Sequence, residues 1–532
     1  MQQSFLDNLK KMREQGESKA LLISATGTGK TYASAFAIRD MNPDKVLFLV
    51  HREQIAKKSL ESYSKIFGDG VKYGLLSGSE KEKNVDFLFA TRDSMAKERT
   101  LTSFRKDEFD VIVVDEVHRA GASTYQRIMS YFTPKFWLGM TATPERTDNF
   151  DIYKLFDHNI ACEIRLQQAL ENDLLCPFHY FGITDITVDG QVLGDDNLEE
   201  FRYLASQERV NHIVENMEYY GYSGSKPIGL IFVSRKEEGR ELSRLLNERG
   251  YRTEFLSGED SQEKREDAID RLVNKDREDY LDYILSVDVF NEGIDIPEVN
   301  QVVMLRPTQS SIVFVQQLGR GLRKTEDKEY VVVLDFIGNY SNNYMIPIAL
   351  SGDRSYNKDN MRRYVAEGAR VIPGSSSIHF DEIARREIYK SIDNAKTNEK
   401  KLLVDAYEQL KKRIGRVPSL MDYATYDSID PMKFVSKYGS YYSFVKEVLK
   451  EEDYTLTLNS IEKEILTYIS SKFMCGKKGQ ELYLLKMLLE NENGSVQYED
   501  LLKRMGLDRD EVVKQKEMIC LSNEFNGDFL ME

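Results

Sequence analysis

The sequence predicts an α/β protein with two parallel-sheet domains, followed by a mostly α-helical region. Short apolar runs alternate with amphipathic helical segments, and this alternation occurs in two blocks of similar size. From about Ser351 the strand-like runs vanish and helical patterns take over. We therefore expect a first domain over 1–165, a connecting segment over 166–225, a second domain over 226–350 and a helical domain over 351–532.

Length and composition limit the possible protein classes. The 532-residue chain is too long for one hydrophobic core, and its 41% hydrophobic and 30% charged residues are typical of soluble globular proteins. A net charge of −15 argues against broad adhesion to nucleic acid but leaves room for a local basic groove. The four cysteines lack the spacing of a zinc or iron–sulfur site, which fits a reducing cytosol. Because no apolar run is as long as the roughly 18 residues of a membrane span, we expect a cytoplasmic protein without a membrane partner.

The stretch Leu21–Thr31, LLISATGTGKT, has the layout of a phosphate-binding P-loop: an apolar strand, a loop of small residues, and Gly-Lys-Thr at the start of a helix. The loop N–H groups and the helix N-terminus suit polyphosphate oxygens, Lys30 would reach the β- and γ-phosphates, and the Thr31 hydroxyl would ligate Mg2+. The other predicted nucleotide contacts in the loop are Thr26, Gly27, Thr28 and Gly29. The strict pattern has Gly where Ser24 stands, so an ordinary Gly-rich turn is the alternative at this point.

The residues before the loop, 1–18, have a short amphipathic helical pattern. Gln2 or Gln3 could contact an adenine ring from there. Polar residues at a frayed terminus are the alternative, and the sequence favours neither interpretation.

The other apolar strands of the first block end in polar residues, and α/β proteins place ligand contacts at such strand ends. One ends beside Arg52 and the next at Thr91. A further strand ends in Asp115 and Glu116, an arrangement in which one carboxylate holds Mg2+ and the next orients and deprotonates water. A solvated turn is the alternative for paired acids, but their position after a P-loop favours the functional interpretation. The last strand ends in Thr-Ala-Thr at 141–143, which could relay the nucleotide state or form a plain turn.

The second block begins near Lys226 with a strand, PIGLIF, and an amphipathic helix. More strand and helix patterns follow, and YVVVLDFIG is expected to close the second sheet. The stretch QQLGRGLRK is expected at the start of a helix. Between the blocks, residues 182–197 are predicted as an acidic linker or a small hairpin.

The C-terminal region combines basic residues with aromatics, a pairing that can bind nucleic acid. The residues concerned are Lys411, Lys412, Arg413, Arg416, Tyr438, Tyr441, Tyr442 and Phe444. We favour the alternative that the aromatics form a core and the charges a solvated face. We also expect this region to be dispensable for basal catalysis, so that a chain ending near Ser351 would remain active.

Taken together, these stretches resemble the conserved motifs of superfamily 2 helicases and translocases. SATGTGKT is similar to motif I, Asp115–His118 (DEVH) to motif II, and the TAT at 141–143 to motif III. Val289–Pro297 is similar to motif V, and Gln316–Arg323 to motif VI. The fixed positions of the motif VI pattern, QxxGRxxR, correspond here to Gln316, Gly319, Arg320 and Arg323.

The resemblance implies two tandem RecA-like P-loop domains with ATP and Mg2+ in the cleft between them. It puts Lys30, Thr31, Asp115 and Glu116 on one wall, and Arg320 and Arg323 on the other as arginine fingers. Gly293 and Asp295 of motif V would lie at the nucleotide and couple it to nucleic acid. The implied nucleic-acid contacts are Arg52, Thr91, Ser234 and Arg235.

A closer resemblance is to bacterial proteins akin to the helicase subunits of restriction enzymes, carried by NEGIDIPEVNQVVMLRPTQSSIVFVQQLGRGLRK and VVVLDFIGNY. It implies a helical C-terminal domain of unknown role and favours DNA over RNA. In that group a phospholipase-D-like nuclease often precedes the helicase. We find no such domain here, so a nuclease is expected as a partner, and the chain as a short form or a piece of a longer protein.

Three functional interpretations follow. The first is a DNA helicase or translocase driven by ATP hydrolysis. The second is an ATPase that remodels protein–nucleic acid complexes without separating strands, in restriction, phage defence or repair. The third is a non-enzymatic scaffold whose active site has decayed. The sequence argues against it, because the set of predicted catalytic residues is intact: Lys30, Asp115, Glu116, Arg320 and Arg323.

Overall fold

A computed structural model gives the fold of the chain. It describes residues 2–78, 81–117, 123–142, 144, 150–188, 191–192, 206–287, 296–306, 321–338, 340–353, 358–368, 374–395, 399–426, 428–473, 486–487, 490–491, 497, 500 and 503–504. The described residues cluster into two compact units, one of 1–398 with 408–416 and one of 399–407 with 417–532. The first unit contains two seven-stranded sheets.

The first sheet has the order β3-β4-β2-β5-β6-β1-β7, and all its strand pairs are parallel. Its strands are β1 Lys19–Ser24, β2 Val46–Val50, β3 Tyr73–Leu76, β4 Phe87–Thr91, β5 Val111–Val114, β6 Phe136–Thr141 and β7 Ile160–Ile164. Most are continuous apolar runs because helices cover both faces of the sheet. The helices are α1 Gln2–Glu14, α2 Lys30–Met41, α3 Glu53–Phe67, α4 Arg92–Met95, α5 Glu98–Leu101, α6 Ser123–Tyr131 and α7 Ile152–Leu155, and Gly68–Gly70 is a 3-10 turn.

The second sheet has the order β12-β13-β11-β14-β15-β8-β16 and is also parallel throughout. Its strands are β8 Phe178–Thr184, β11 Gly229–Phe232, β12 Thr253–Leu256, β13 Tyr283–Ser286, β14 Gln301–Met304, β15 Val331–Ile337 and β16 Ser377–Phe380; β9 Thr187–Val188 and β10 Gln191–Val192 form a separate antiparallel pair. The helices are α8 Leu166–Glu171, α9 Gln207–Tyr220, α10 Lys236–Glu248, α11 Gln262–Val273, α12 Met345–Ser351, α13 Lys358–Glu367 and α14 Glu382–Asn394. The predicted fold class, two tandem RecA-like domains with parallel sheets and a helical C-terminal region, is confirmed.

The strand content of the second sheet differs from the prediction at both ends. β8 comes from the segment predicted to be a connector, and the small hairpin proposed there is present as β9 and β10. The prediction that strands end before residue 351 is wrong, because β16 pairs with β8. β15 lies inside the sheet because β8 pairs with its outer side, so β15 does not close the edge. Four residues are too short for a period-2 signal, and Ile378 and Phe380 are buried only because the helices around them complete a shared core.

The second unit is helical, and its core is aromatic. Its elements are the first half of α15 Glu399–Ile414, α16 Leu420–Thr425, α17 Met432–Tyr438, a π-helical turn at Ser443–Val448 and α18 Ser460–Phe473. The buried rings of Tyr407, Tyr423, Phe434, Tyr441 and Phe444 pack edge-on or tilted against one another. The interpretation of the aromatics as core is confirmed for Tyr441, Tyr442 and Phe444, which are buried, while Tyr438 is only partly buried. Within the described part of the chain, the helices are all too short or too polar to cross a bilayer.

Candidate nucleotide and nucleic-acid site

The carboxyl ends of the first sheet bring the predicted catalytic residues to one edge. In the parallel register Ile23 pairs with Thr141, Leu49 with Val114, and Val50 with Thr91. The P-loop, the acid pair and Thr141 therefore lie at the same end of the sheet. Thr91 itself is buried, with 8% of its surface exposed.

The P-loop has the backbone that an anion-binding loop needs. Gly27 and Gly29 have φ of +89° and +82°, values that residues with a side chain rarely adopt. Gly29 precedes α2, whose first N–H groups receive no side-chain cap from it. Those N–H groups and the positive end of the helix dipole suit phosphate oxygens. The Lys30 Nζ atom donates to the carbonyl oxygens of Ser24, at 3.1 Å, and Ala25, at 3.4 Å, so the ammonium lies over the loop.

Ser24, the one departure from the P-loop pattern, stabilises the loop. Its hydroxyl is hydrogen-bonded to the Thr28 hydroxyl at 2.5 Å, and the Thr28 hydroxyl donates to the Ala25 carbonyl at 2.8 Å. Ser24 and Thr28 are both buried. Serine in place of the expected glycine at position 24 therefore adds a side-chain hydrogen bond across the loop. The positive φ angles of Gly27 and Gly29 are still present.

Two linked hydroxyls, one on α2 and one on α3, lie next to the Thr31 backbone. Ser34 donates to the Thr31 carbonyl at 2.7 Å, and its oxygen is 2.8 Å from the hydroxyl of Tyr63 on α3. Burial raises the pKa of Tyr63, with the nearby Asp115 carboxylate adding to the effect. Tyr63 therefore stays neutral and available as a hydrogen-bonding group.

The acid pair follows β5 in a strained turn. Asp115 is 9% exposed, its N–H donates to Leu49 at 2.9 Å, and its Oδ1 accepts the Glu116 N–H at 2.9 Å. Glu116 has φ of +48°, in the left-handed region that costs a non-glycine residue energy. The turn therefore places two successive carboxyl-bearing residues directly after the end of β5.

These residues fit a magnesium-bound nucleoside triphosphate. The glycine loop and the helix terminus form a cradle of N–H donors beside one lysine. The Thr31 hydroxyl and the Asp115 carboxylate are oxygen donors of the type that Mg2+ prefers.

The second domain contacts the P-loop directly. A Cβ atom on Gly27 would lie 3.1 Å from Cγ of Arg323 and 3.0 Å from Cδ2 of Leu175. Leu175 is buried, and the N–H of the next residue, Cys176, donates to the Leu322 carbonyl at 2.7 Å. Arg323, predicted on the second wall, is thus brought against the first. Leu175 was not predicted, because a single leucine in an irregular segment carries no functional signal.

Several predicted site residues lie outside the described residues. They are Gly293, Asp295, Gln316, Gly319, Arg320, His118, Thr143 and the side chain of Gln2.

The residues predicted to bind nucleic acid lie at strand ends of both sheets. Arg52 follows β2 and precedes α3, while Ser234 and Arg235 follow β11 and precede α10. A hydrogen bond also joins the two domains near these strand ends. The Gln262 Nε2 atom, in the first turn of α11, donates to Gln54 Oε1, in the first turn of α3, at 3.3 Å.

A buried ionic network, not predicted from the sequence, holds the Ser234-Arg235 loop. Arg209 on α9 donates to Asp185 with two bonds of 2.8 and 3.0 Å and to Glu238 at 2.8 Å, and all three side chains are fully buried. The other oxygen of Glu238 accepts the N–H groups of Ser234 at 2.8 Å and Arg235 at 3.3 Å. Burial raises the pKa of Glu238, and the Arg209 charge opposes this effect. Single charged residues on amphipathic helices do not reveal such pairing in the sequence.

Comparisons with known proteins extend over the same regions. The model for the res subunit of type III restriction enzymes matches residues 1–146, and the helicase conserved C-terminal domain matches 210–325. A domain of unknown function matches 403–528.

Relatives and a solved structure agree with these matches. IRC3 of Saccharomyces cerevisiae, named as an ATP-dependent helicase, is 24% identical over 375 residues, covering 66% of this chain and 53% of that protein. The EcoAI type I restriction endonuclease subunit of Escherichia coli is 25% identical over 361 residues, covering 60% and 44%. The chain thus spans about half the length of these relatives. The structure of the ATP-dependent type ISP restriction-modification enzyme LlaBIII bound to DNA has the same fold, with a TM-score of 0.51 at 18% identity, over 98% of this chain and 42% of that one.

Proposed function

Because the chain belongs to the superfamily 2 helicases and is related to the Res subunits of restriction enzymes, we propose that it hydrolyses ATP to move along DNA. The observation that carries the proposal is the contact between the two domains at the P-loop. Arg323 of one domain lies against Gly27 of the other, so an arginine and the phosphate-binding loop share one site.

Each residue of the site has a role in this proposal. Lys30 and the loop N–H groups bind the β- and γ-phosphates. Glu116 orients the attacking water and accepts its proton. When bound, Mg2+ neutralises phosphate charge, and Thr31 with Asp115 would hold it. Arg323, with Arg320 as its companion, neutralises the charge that develops on the γ-phosphoryl group.

We propose DNA as the nucleic acid along which the chain moves, because one relative is a restriction endonuclease subunit. Phosphate contacts from Arg52, Ser234 and Arg235 would grip the backbone without reading base sequence. Affinity should then fall steeply with salt, by roughly one log unit per log unit of salt for each phosphate neutralised. A nuclease subunit or domain is the proposed partner.

Phosphate release by the purified chain, with and without DNA, tests the proposal. We expect slow basal turnover that rises severalfold with duplex or single-stranded DNA and not with RNA of the same length. Strand displacement and triplex displacement, measured side by side, then separate unwinding from translocation or remodelling. Turnover that DNA does not change, with RNA as the better activator, would contradict the DNA assignment.

A further inference from the structure

Lys328 is a buried lysine whose ammonium group binds backbone carbonyls from two separate segments. Its side chain is 6% exposed. The Nζ atom donates to the carbonyl oxygens of Gly321 at 2.6 Å, Val299 at 3.1 Å and Pro297. A lysine is buried at this depth only when its donors are satisfied, and here backbone oxygens satisfy them.

The two segments are those that carry the motif-like stretches of the second domain. Pro297 ends the stretch similar to motif V, and Val299 follows it by two residues. Gly321 belongs to the stretch similar to motif VI and precedes Arg323 by two residues. One ammonium group therefore ties the end of one motif to the arginine-bearing end of the other.

Three successive residues of the arginine-bearing segment are held by different partners. Gly321 is bound by Lys328, and a Cβ atom on it would lie 3.2 Å from the Val299 carbonyl oxygen. The Leu322 carbonyl accepts the Cys176 N–H at 2.7 Å. Arg323 then packs against the P-loop glycine, Gly27. The hydrogen bond from Lys328 to the Gly321 carbonyl is thus only two residues away from Arg323, whose side chain is proposed to contact the γ-phosphate.

We propose that Lys328 is a positioning residue for Arg323, setting its reach to the P-loop and linking it to the segment that ends at Pro297. The inference rests on the proposed function, because it assigns Arg323 a part in ATP hydrolysis. Lys328 does not touch the reacting atoms in this account. Without its charge the Gly321 carbonyl would lose its anchor, and the guanidinium would be displaced by a fraction of an ångström or more.

The test is steady-state ATP turnover and nucleotide affinity of Lys328→Met in the full chain. A displacement near 1 Å costs about a hundredfold in rate, so we expect turnover to fall by about tenfold to a hundredfold. Affinity for a fluorescent ATP analogue should stay within about twofold, because Lys30 and the loop amides remain. The matched control is Lys275→Met. Lys275 is half-exposed, and its ammonium group contacts the exposed carboxylate of Asp327, the residue before Lys328. The control should keep wild-type turnover.

A double-mutant cycle separates positioning from a purely structural role. In an Arg323→Ala background, Lys328→Met should cause no further loss of turnover, because its effect passes through Arg323. An equal loss in both backgrounds would overturn the inference, as would a folded Lys328→Met protein with wild-type turnover. If Lys328→Met does not fold, Lys328→Gln replaces it. Glutamine is neutral, one atom shorter and has two N–H donors for three carbonyls, so turnover should still fall, and wild-type turnover in that variant would also overturn the inference. If Arg323→Ala itself hydrolyses ATP normally, the proposed function fails instead.

Discussion

Arg323 and Gly27 lie in different domains, yet the Arg323 side chain fills the space where a side chain on Gly27 would begin. A Cβ atom on Gly27 would lie only 3.1 Å from Cγ of Arg323. The P-loop glycine is therefore required twice, for its backbone conformation and for the space that it leaves to the second domain. This contact gives the first prediction.

Gly27→Ala should lower ATP turnover strongly, because its new Cβ meets Arg323 and Leu175 and its φ of +89° becomes strained. The control is Gly16→Ala. Gly16 has nearly the same φ, +88°, but nothing lies within 4 Å of its added Cβ. Both variants should lose about 1 kcal/mol of stability from backbone strain. Only Gly27→Ala should lose turnover, and equal turnover in the two variants would refute the contact.

Arg209→Ala should be strongly destabilising, because it leaves the Asp185 and Glu238 carboxylates buried without their partner. Removing one member of a buried ionic network typically costs about 3–5 kcal/mol. Arg277→Ala is the control, since it removes an arginine that pairs with several acids on the surface. Calorimetry should give a large drop in melting temperature for the first variant and little change for the second. Equal melting temperatures would mean that the network contributes nothing.

Asp335 makes stability depend on pH near neutrality. Burial raises its pKa to about 7, a hydrogen bond from Tyr180 at 2.5 Å opposes the shift, and the Asp185 charge adds to it. The folded chain therefore keeps a proton that the unfolded chain releases near pH 4. The stabilisation from this proton is full below about pH 4 and is lost as pH rises toward 7, at no more than about 1.4 kcal/mol per pH unit.

The Asp335→Asn variant lacks this proton equilibrium. The melting temperature of the wild type minus that of the variant should therefore decline between pH 5 and 7 and level off above pH 7.5. A difference that stays constant across this range would show that Asp335 ionises normally in the folded chain.

Truncation tests where the catalytic unit ends. A chain ending at Ser351 lacks β16 and α14, whose Ile378, Phe380 and Ile388 are buried in the core of the second sheet. Burying each such side chain contributes about 1.5–3 kcal/mol. A chain ending at Arg416, where the first compact unit ends, should fold and keep DNA-dependent turnover, while one ending at Ser351 should aggregate. If the chain ending at Ser351 is folded and active, the catalytic unit ends near residue 351, as the sequence predicted.

The sequence was most informative where chemistry requires fixed residue types at fixed spacing. Lys30, Thr31, Asp115 and Glu116 could be predicted as site residues because glycines, a lysine and acids follow apolar strands in a characteristic order. Tertiary partners leave no such pattern. Lys328 stands in the charged stretch KTEDKEY, which is indistinguishable from a solvated turn, and its burial depends on carbonyls from about 30 residues earlier.

The same reason explains the missed elements. β16 has only four residues, and its pairing with β8 joins positions almost 200 residues apart. Ser24 illustrates the opposite case, since a departure from the expected pattern proved to be compatible with the loop through one hydroxyl pair.

The most direct test of the two-domain site is ATP turnover of Arg323→Ala and Arg323→Lys with DNA present. Lysine lacks the planar fork of arginine, so both variants should fail. Losing an arginine finger typically costs roughly 10³–10⁵ in turnover, while ATP affinity should change far less because Lys30 and the loop amides remain. As a comparison, Glu116→Gln should leave ATP bound and hydrolysis stalled. If Arg323→Ala hydrolyses ATP at a rate close to that of the wild type, the second domain does not complete the active site and the account is contradicted.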